Sequence, residues 1–159
     1  MPTIPIHVNV PYPLLKDRAG SLIELSLNPE IYLSGNVLDT LNKADFAEAC
    51  GNLKEAGLSI TFHAPYQDMS PGSPDFKIRA IFVERMNQVM DMAEIAEPKA
   101  VVVHGGYDKW RFDWNMDMWL KNSLDVWPAI VRRTGKIGTR LAMENVFDDS
   151  PEPIIRLLN

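Results

Sequence analysis

The sequence predicts an α/β chain of about five βα units, with parallel strands and outer helices. Three features predict it. The stretch Ala100 to Tyr107 reads Ala-Val-Val-Val-His-Gly-Gly-Tyr. An unbroken apolar run stopped by glycine is the pattern of a strand buried on both faces, and such strands belong to parallel sheets. Strand-like and helix-like patterning then alternate down the chain in the order βαβαβαβαβα, which places helical crossovers between parallel strands. The third feature is size: a closed (β/α)8 barrel needs eight such units and typically ~250 residues, so a chain of 159 residues falls about three units short of one.

Each element has its own signal. Ile4, Ile6, Val8 and Val10 alternate with Pro5, His7 and Asn9, a first strand closed by Pro11 and Pro13. Leu14 to Leu25 is weakly helical, interrupted by Ala19-Gly20-Ser21. Glu30 to Leu33 is a short second strand ending at Ser34-Gly35. Phe46, Ala49, Cys50, Leu53 and Ala56 recur at helical spacing, with Asn42 as the cap and Gly57 as the stop. The third strand is Ser59 to His63, followed by a loop rich in Pro, Gly and Ser from Ala64 to Ser73. Ser73-Pro74 reads as a cap followed by proline at the first helical position. Ile78, Ile81, Phe82, Met86, Val89 and Ala93 mark one face of the helix that follows, which Pro98 ends. Ala100 to His104 is the fourth strand, and its loop runs from Gly105 to Asn115. Met116, Leu120, Leu124, Trp127 and Val131 form the next helical stripe, ended by Gly135. Thr139 to Glu144 is the fifth strand, and Ser150-Pro151 starts a last helix.

Composition narrows the class. The net charge of -5 gives no basic footprint for nucleic acid, although a local basic patch can sit on an acidic protein. The one cysteine, Cys50, rules out an internal disulfide, and its helical apolar setting reads as core. No apolar run approaches the ~20 residues of a membrane span, and no leader-like start precedes the first strand. A cytoplasmic protein without a membrane partner is expected.

The chemistry gathers at the strand ends. His63 closes the third strand before Ala-Pro-Tyr, His104 closes the fourth before Gly-Gly-Tyr, and Glu144 closes the fifth before Asn. Parallel α/β sheets and barrels place their ligands at the carboxyl ends of the strands. Imidazole and carboxylate together suit zinc and related divalent metals, and three protein ligands with an open position are the pattern of a catalytic centre. A lone histidine is more often a pocket residue bonded to backbone. Three such residues on successive strands favour a metal.

These motifs, His63-Ala-Pro-Tyr66, His104-Gly-Gly-Tyr107 and Glu144-Asn145, resemble the xylose-isomerase-like TIM-barrel superfamily. That group joins sugar isomerases and epimerases with endonuclease-IV-type AP endonucleases (family 2). The resemblance covers nearly the whole chain and implies a partial (β/α) TIM-type barrel. It implies a divalent ion, zinc or manganese, on His63, His104 and Glu144, as in the endonuclease-IV-like members. Glu144 would also be the catalytic acid/base, as in the epimerase-like members. The remaining ligands of the family come from strands six to eight, and the chain departs from the pattern there. Residues 1–159 are thus expected to form a single partial barrel domain lacking the last three βα units. Either the chain is a fragment of a longer polypeptide, or another protomer supplies the wall. Open edges at strands one and five invite homo-oligomers.

Other residues bear on substrate. Tyr66 and Tyr107 follow the two histidines and either stack on a substrate or cover the barrel mouth. Trp110 belongs to an aromatic and basic loop cluster with Arg111 and Trp114, a setting for binding. Asn145 either orients Glu144 or reaches substrate. Asp75 reads as support for a helix start, and Trp119 and Trp127 as packing. His7 and Asn9 share one face of strand one and are expected to be satisfied by their neighbours.

The expected function is a metal-dependent isomerase or epimerase of a small sugar or sugar-phosphate substrate, acting through an enediolate. The alternatives are a zinc phosphodiesterase acting on apurinic DNA, and a non-catalytic partial barrel.

Overall fold

The computed structural model describes residues 5–146 and 148–159; Ile4, read as part of the first strand, lies outside them. Five strands form one sheet: β1 (His7–Pro11), β2 (Asn28–Tyr32), β3 (Thr61–His63), β4 (Val101–His104) and β5 (Leu141–Glu144). Every pairing is parallel and the order is β1-β2-β3-β4-β5. A doubly wound sheet reverses its strand order at a switch point, whereas a barrel wall adds each strand beside the last. The sheet is therefore a barrel wall. Its crossovers are α1 (Tyr12–Glu24), α2 (Gly35–Thr40) with α3 (Lys43–Glu55), α4 (Phe76–Ala96) and α5 (Met116–Ile137), and α6 (Glu152–Leu158) follows β5.

The pleat sorts each strand into two faces. Val10, Ile31, Phe62, Val101 and Val103 are buried against the helices; Phe62, for example, meets Phe46 of α3 edge to face. Their alternates face the barrel axis, as the period of two requires. In register these inward residues are Asn9 beside Glu30, Tyr32 beside His63, His63 beside Val102, and His104 beside Glu144. His7 bonds to the hydroxyls of Ser59 and Thr61, and the amide of Asn9 donates to Glu30, so this pair is satisfied by its neighbours as expected.

Several boundaries differ from the sequence reading. α1 begins at Tyr12, so Pro13 lies in its first turn instead of closing β1, and Gly20 is inside the helix. β2 starts two residues earlier than expected, and α2 had no strong periodic signal over its six residues. Ser73-Pro74 is not the cap of α4; Asp75 is, accepting from the Lys77 amide, while the Ser73 hydroxyl accepts from the Asp75 amide. α4 buries Phe82, Met86, Val89 and Ala93, but Ile78 and Ile81 are exposed. α5 passes through Gly135 and ends at Gly138, whose φ of 83° suits a left-handed cap. Its buried face is Trp119, Ser123, Trp127, Ile130 and Thr134, so Leu124 and Val131 of the expected stripe face outward. Cys50 is core, and burial pushes its thiol up to about 12. No described helix is long and apolar enough to cross a membrane.

One close approach locks the long loops together. The indole of Trp119 donates to the Gly105 carbonyl, and a Cβ on Gly72 would stand 2.1 Å from its ring. Gly72→Ala must therefore displace a fully buried indole. It is expected to destabilise the fold by about 1–3 kcal/mol, the usual cost of overpacking. A denaturant midpoint unchanged from wild type would show that the loop yields instead.

Candidate metal centre

Strand pairing places the three expected ligands on one rim. His104 and Glu144 are direct register partners on adjacent strands, so their side chains leave the sheet in the same direction. His63 is one strand further away and pairs with Val102, two residues before His104. The three side chains nonetheless meet. Nε2 of His63 lies 3.2 Å from Oε2 of Glu144, and Nε2 of His104 lies 3.1 Å from the same oxygen. One ligand atom from each of the three falls within 4.8 Å of the others.

The protonation pattern shows what this arrangement needs. Nδ1 of His63 lies 2.8 Å from the Ala64 carbonyl oxygen, which only accepts, so Nδ1 carries the hydrogen. In the neutral ring Nε2 then turns a lone pair toward a carboxylate oxygen. A proton on Nε2 would turn that contact into a hydrogen bond, and a cation held between the lone pairs would satisfy it as well. Burial lowers the pKa of His104 and the adjacent His63 lowers it further, against the pull of Glu144. A divalent ion satisfies both imidazoles and the carboxylate at once. Donors about 2.1 Å from a tetrahedral zinc sit roughly 3.4 Å from one another, close to the two contacts above. The bond from Nδ1 to a backbone carbonyl is also the outer-shell partner that orients metal-binding histidines. The residues present therefore fit a divalent ion.

Aromatic rings wall the centre. His63 and His104 meet edge to face with ring centroids 5.1 Å apart, and Tyr66 tilts over His104 at 5.0 Å. Tyr32 packs on both His63 and Tyr66. The sequence reading missed Tyr32. Its place as the last residue of β2, in the same position as the histidines on their strands, was the available signal.

A cavity of about 560 Å3 opens at this rim, lined by Tyr66, His104, Tyr107, Arg111, Glu144 and Asp148, among others. Burial raises the carboxyl pKa of Asp148, and neighbouring Asp149 adds to the effect. Tyr107 is buried, with its ring stacked on Phe112 and tilted on Trp119. That packing matches the mouth-covering alternative, while the cavity still touches it. Trp110 and Asn145 are exposed and lie outside the lining. Trp110 pairs with Trp114 at 4.6 Å, with the Lys109 ammonium over its ring.

The family model described as xylose isomerase-like TIM barrel matches residues 25–159. The chain belongs to that family. Its fold is shared with solved structures of low identity. The TTHB071 protein from Thermus thermophilus, in a structure soaked with ZnCl2, superposes with a TM-score of 0.77 at 23% identity, covering 98% of this chain and 62% of that one. A D-tagatose 3-epimerase-like protein gives 0.76 at 20% identity, with 98% and 60% covered. The 3-keto-D-glucoside 4-epimerase YcjR from E. coli gives 0.67 at 18%, with 91% and 57% covered. An uncharacterised Methanocaldococcus jannaschii protein, MJ1311, is 25% identical over 107 residues, which is 64% of this chain and 36% of its own length. The chain thus spans less than two thirds of each of these relatives.

The donor set dictates a pH response. Imidazole ligands must be neutral, so protons compete with the ion. Zinc affinity is expected to be nearly flat from pH 8 to about 6.5, the ordinary imidazole value, and to fall below it. The lowered pKa of His104 keeps that ring available further into acid than a free imidazole. Competition titrations at several pH values check this, and an affinity unchanged down to about pH 5 would contradict histidine ligation.

Proposed function

We propose that this chain carries the metal-binding half of a sugar or sugar-phosphate isomerase or epimerase, with zinc or manganese held by His63, His104 and Glu144. The observation that carries the reading is the convergence of two imidazoles on one carboxylate oxygen at the barrel mouth. Two nitrogen donors favour zinc over manganese. The epimerase-type names among the similar structures support a sugar substrate.

A bound divalent ion would polarise neighbouring hydroxyl and carbonyl oxygens of the substrate. Glu144 has half its side chain open to solvent, so its carboxylate can reach the carbon next to that carbonyl. It accepts the proton there, leaving an enediolate, and returns it to complete the isomerisation. Tyr66, partly exposed over His104, offers a ring face to the sugar. Under the same reading Tyr107 lines the cavity, while Asn145 and Trp110 stand outside it and would meet only a substrate that extends past the rim. The other wall of the site comes from further βα units, either of the same polypeptide or of a second protomer.

The two-histidine donor set also suits an apurinic-site endonuclease. The cavity wall opposes that reading, because among the described residues Asp68, Asp108, Asp148 and Glu144 share it with one cation, Arg111, a poor surface for a polyanion.

The test begins with metal content after chelator-free purification. Wild-type protein is expected to retain a divalent ion. His63→Ala and His104→Ala are each expected to weaken binding by more than the ~10–100-fold that loss of an outer-shell partner costs. Protein that holds no metal, or single variants that hold it as well as wild type, would sink the proposal. Ketose turnover without salt-sensitive binding to abasic duplex DNA then separates the isomerase from the nuclease.

A further inference from the structure

We infer that the metal-side cavity is one half of a longer site, and that the substrate carries an apolar substituent, a ring or larger, on its sugar. The polar half rests on the function proposed above; the apolar half stands on its own observations. A second cavity of about 560 Å3 lies between the start of α4 and the 105–115 loop. Ile78, Ile81 and Phe112 form its apolar walls. It shares Asp68, Met69 and Arg111 with the metal-side cavity, so the two adjoin.

The exposed isoleucines need an occupant. Ile78 and Ile81 fall in the apolar repeat of α4, yet they are 40% and 49% exposed, while the rest of that repeat is buried. They lie at the ligand end of the helix. The partition beside them is adaptable. Met69 is half-buried, and an unbranched thioether repacks readily. Arg111 is exposed, and among the described residues its guanidinium has no acidic partner. Its stem can cover an apolar group while its head meets a sugar hydroxyl.

A polar mark sits in the same groove. Ser70 lines it, is 3% exposed, and its hydroxyl has no hydrogen-bond partner among the described residues. Buried hydroxyls are rarely left unpaired. A turn about χ1 lets this one meet a single oxygen on the ligand. Apolar walls with a few polar groups, here Asp68, Ser70, Ser73, Asp75 and Arg111, are the usual makeup of a small-molecule subsite, and the volume takes a ring or a larger group. The three residues shared with the metal-side cavity make the substrate's own substituent the occupant. A protein partner in the groove would have no reason to depend on the metal end.

The experiment follows the Ile78 and Ile81 methyl resonances of the zinc-loaded protein. The probes are 4-methoxyphenol, methyl β-D-glucopyranoside and 4-hydroxyphenyl β-D-glucopyranoside. The phenol is expected to shift both methyls at millimolar concentration. Ile81→Asp and, separately, Ile78→Ser are expected to abolish the effect with zinc still bound. No shift in wild type overturns the inference whatever the metal centre does. The aryl glucoside is expected to bind at least about tenfold more tightly than the phenol, because its two ends are tethered. That advantage should vanish in His104→Ala while the phenol still binds. Equal affinities in the zinc-loaded wild type would refute the joined site and leave the proposed metal centre to its own test.

Discussion

Everything at the rim depends on the alternation of side chains along a strand. A residue on β3, β4 or β5 points either to the helices or to the barrel axis, and a slip of one position exchanges the two sets. Val101 and Val103 of β4 and Phe62 of β3 fix the phase, because their burial against the helices cannot be given up without exposing the core. Once they are seated, His63, His104 and Glu144 have no choice but to face inward. The apolar residues that take no part in the chemistry thus aim the polar ones that do.

The parallel register does the rest. His104 and Glu144 sit side by side, and His63 reaches the same carboxylate oxygen from a strand further back. The backbone carbonyl of Ala64 then holds Nδ1 of His63 and leaves its Nε2 turned to the carboxylate, free to take part in holding an ion. Sequence spacing could not have shown this, since the three residues are separated by 41 and 40 positions, from 63 to 104 and from 104 to 144. Their shared position at strand ends could show it, and did.

What was legible in the sequence was whatever tertiary packing leaves to local pattern. The strand runs, the Asn42 cap and the order of units follow from periodicity and turn chemistry, and the family resemblance at the three motifs agreed with them. Misreadings cluster where packing decides. Gly135 looked like a stop, but α5 is long enough to carry a glycine, and the left-handed turn falls at Gly138. Ser73-Pro74 looked like a cap, but the carboxylate of Asp75 outcompetes the hydroxyl at the next turn. The stripe on α5 was misplaced by about one residue because its buried face includes Ser123 and Thr134, which no hydrophobic count would select. The aromatic wall around the histidines escaped notice for a related reason: Tyr32 belongs to it only once β2 lies beside β3.

The three candidate ligands also differ in how firmly their strands are held. β3 is buried throughout, while β5 alternates between half-buried and exposed positions and contributes the most open side chain of the three. An ion gripping all of them would be a staple between the best-packed and worst-packed parts of the sheet. Its binding energy would count toward folding. Unfolding would then track the concentration of free metal, with the fifth strand the first to fray when the supply runs short.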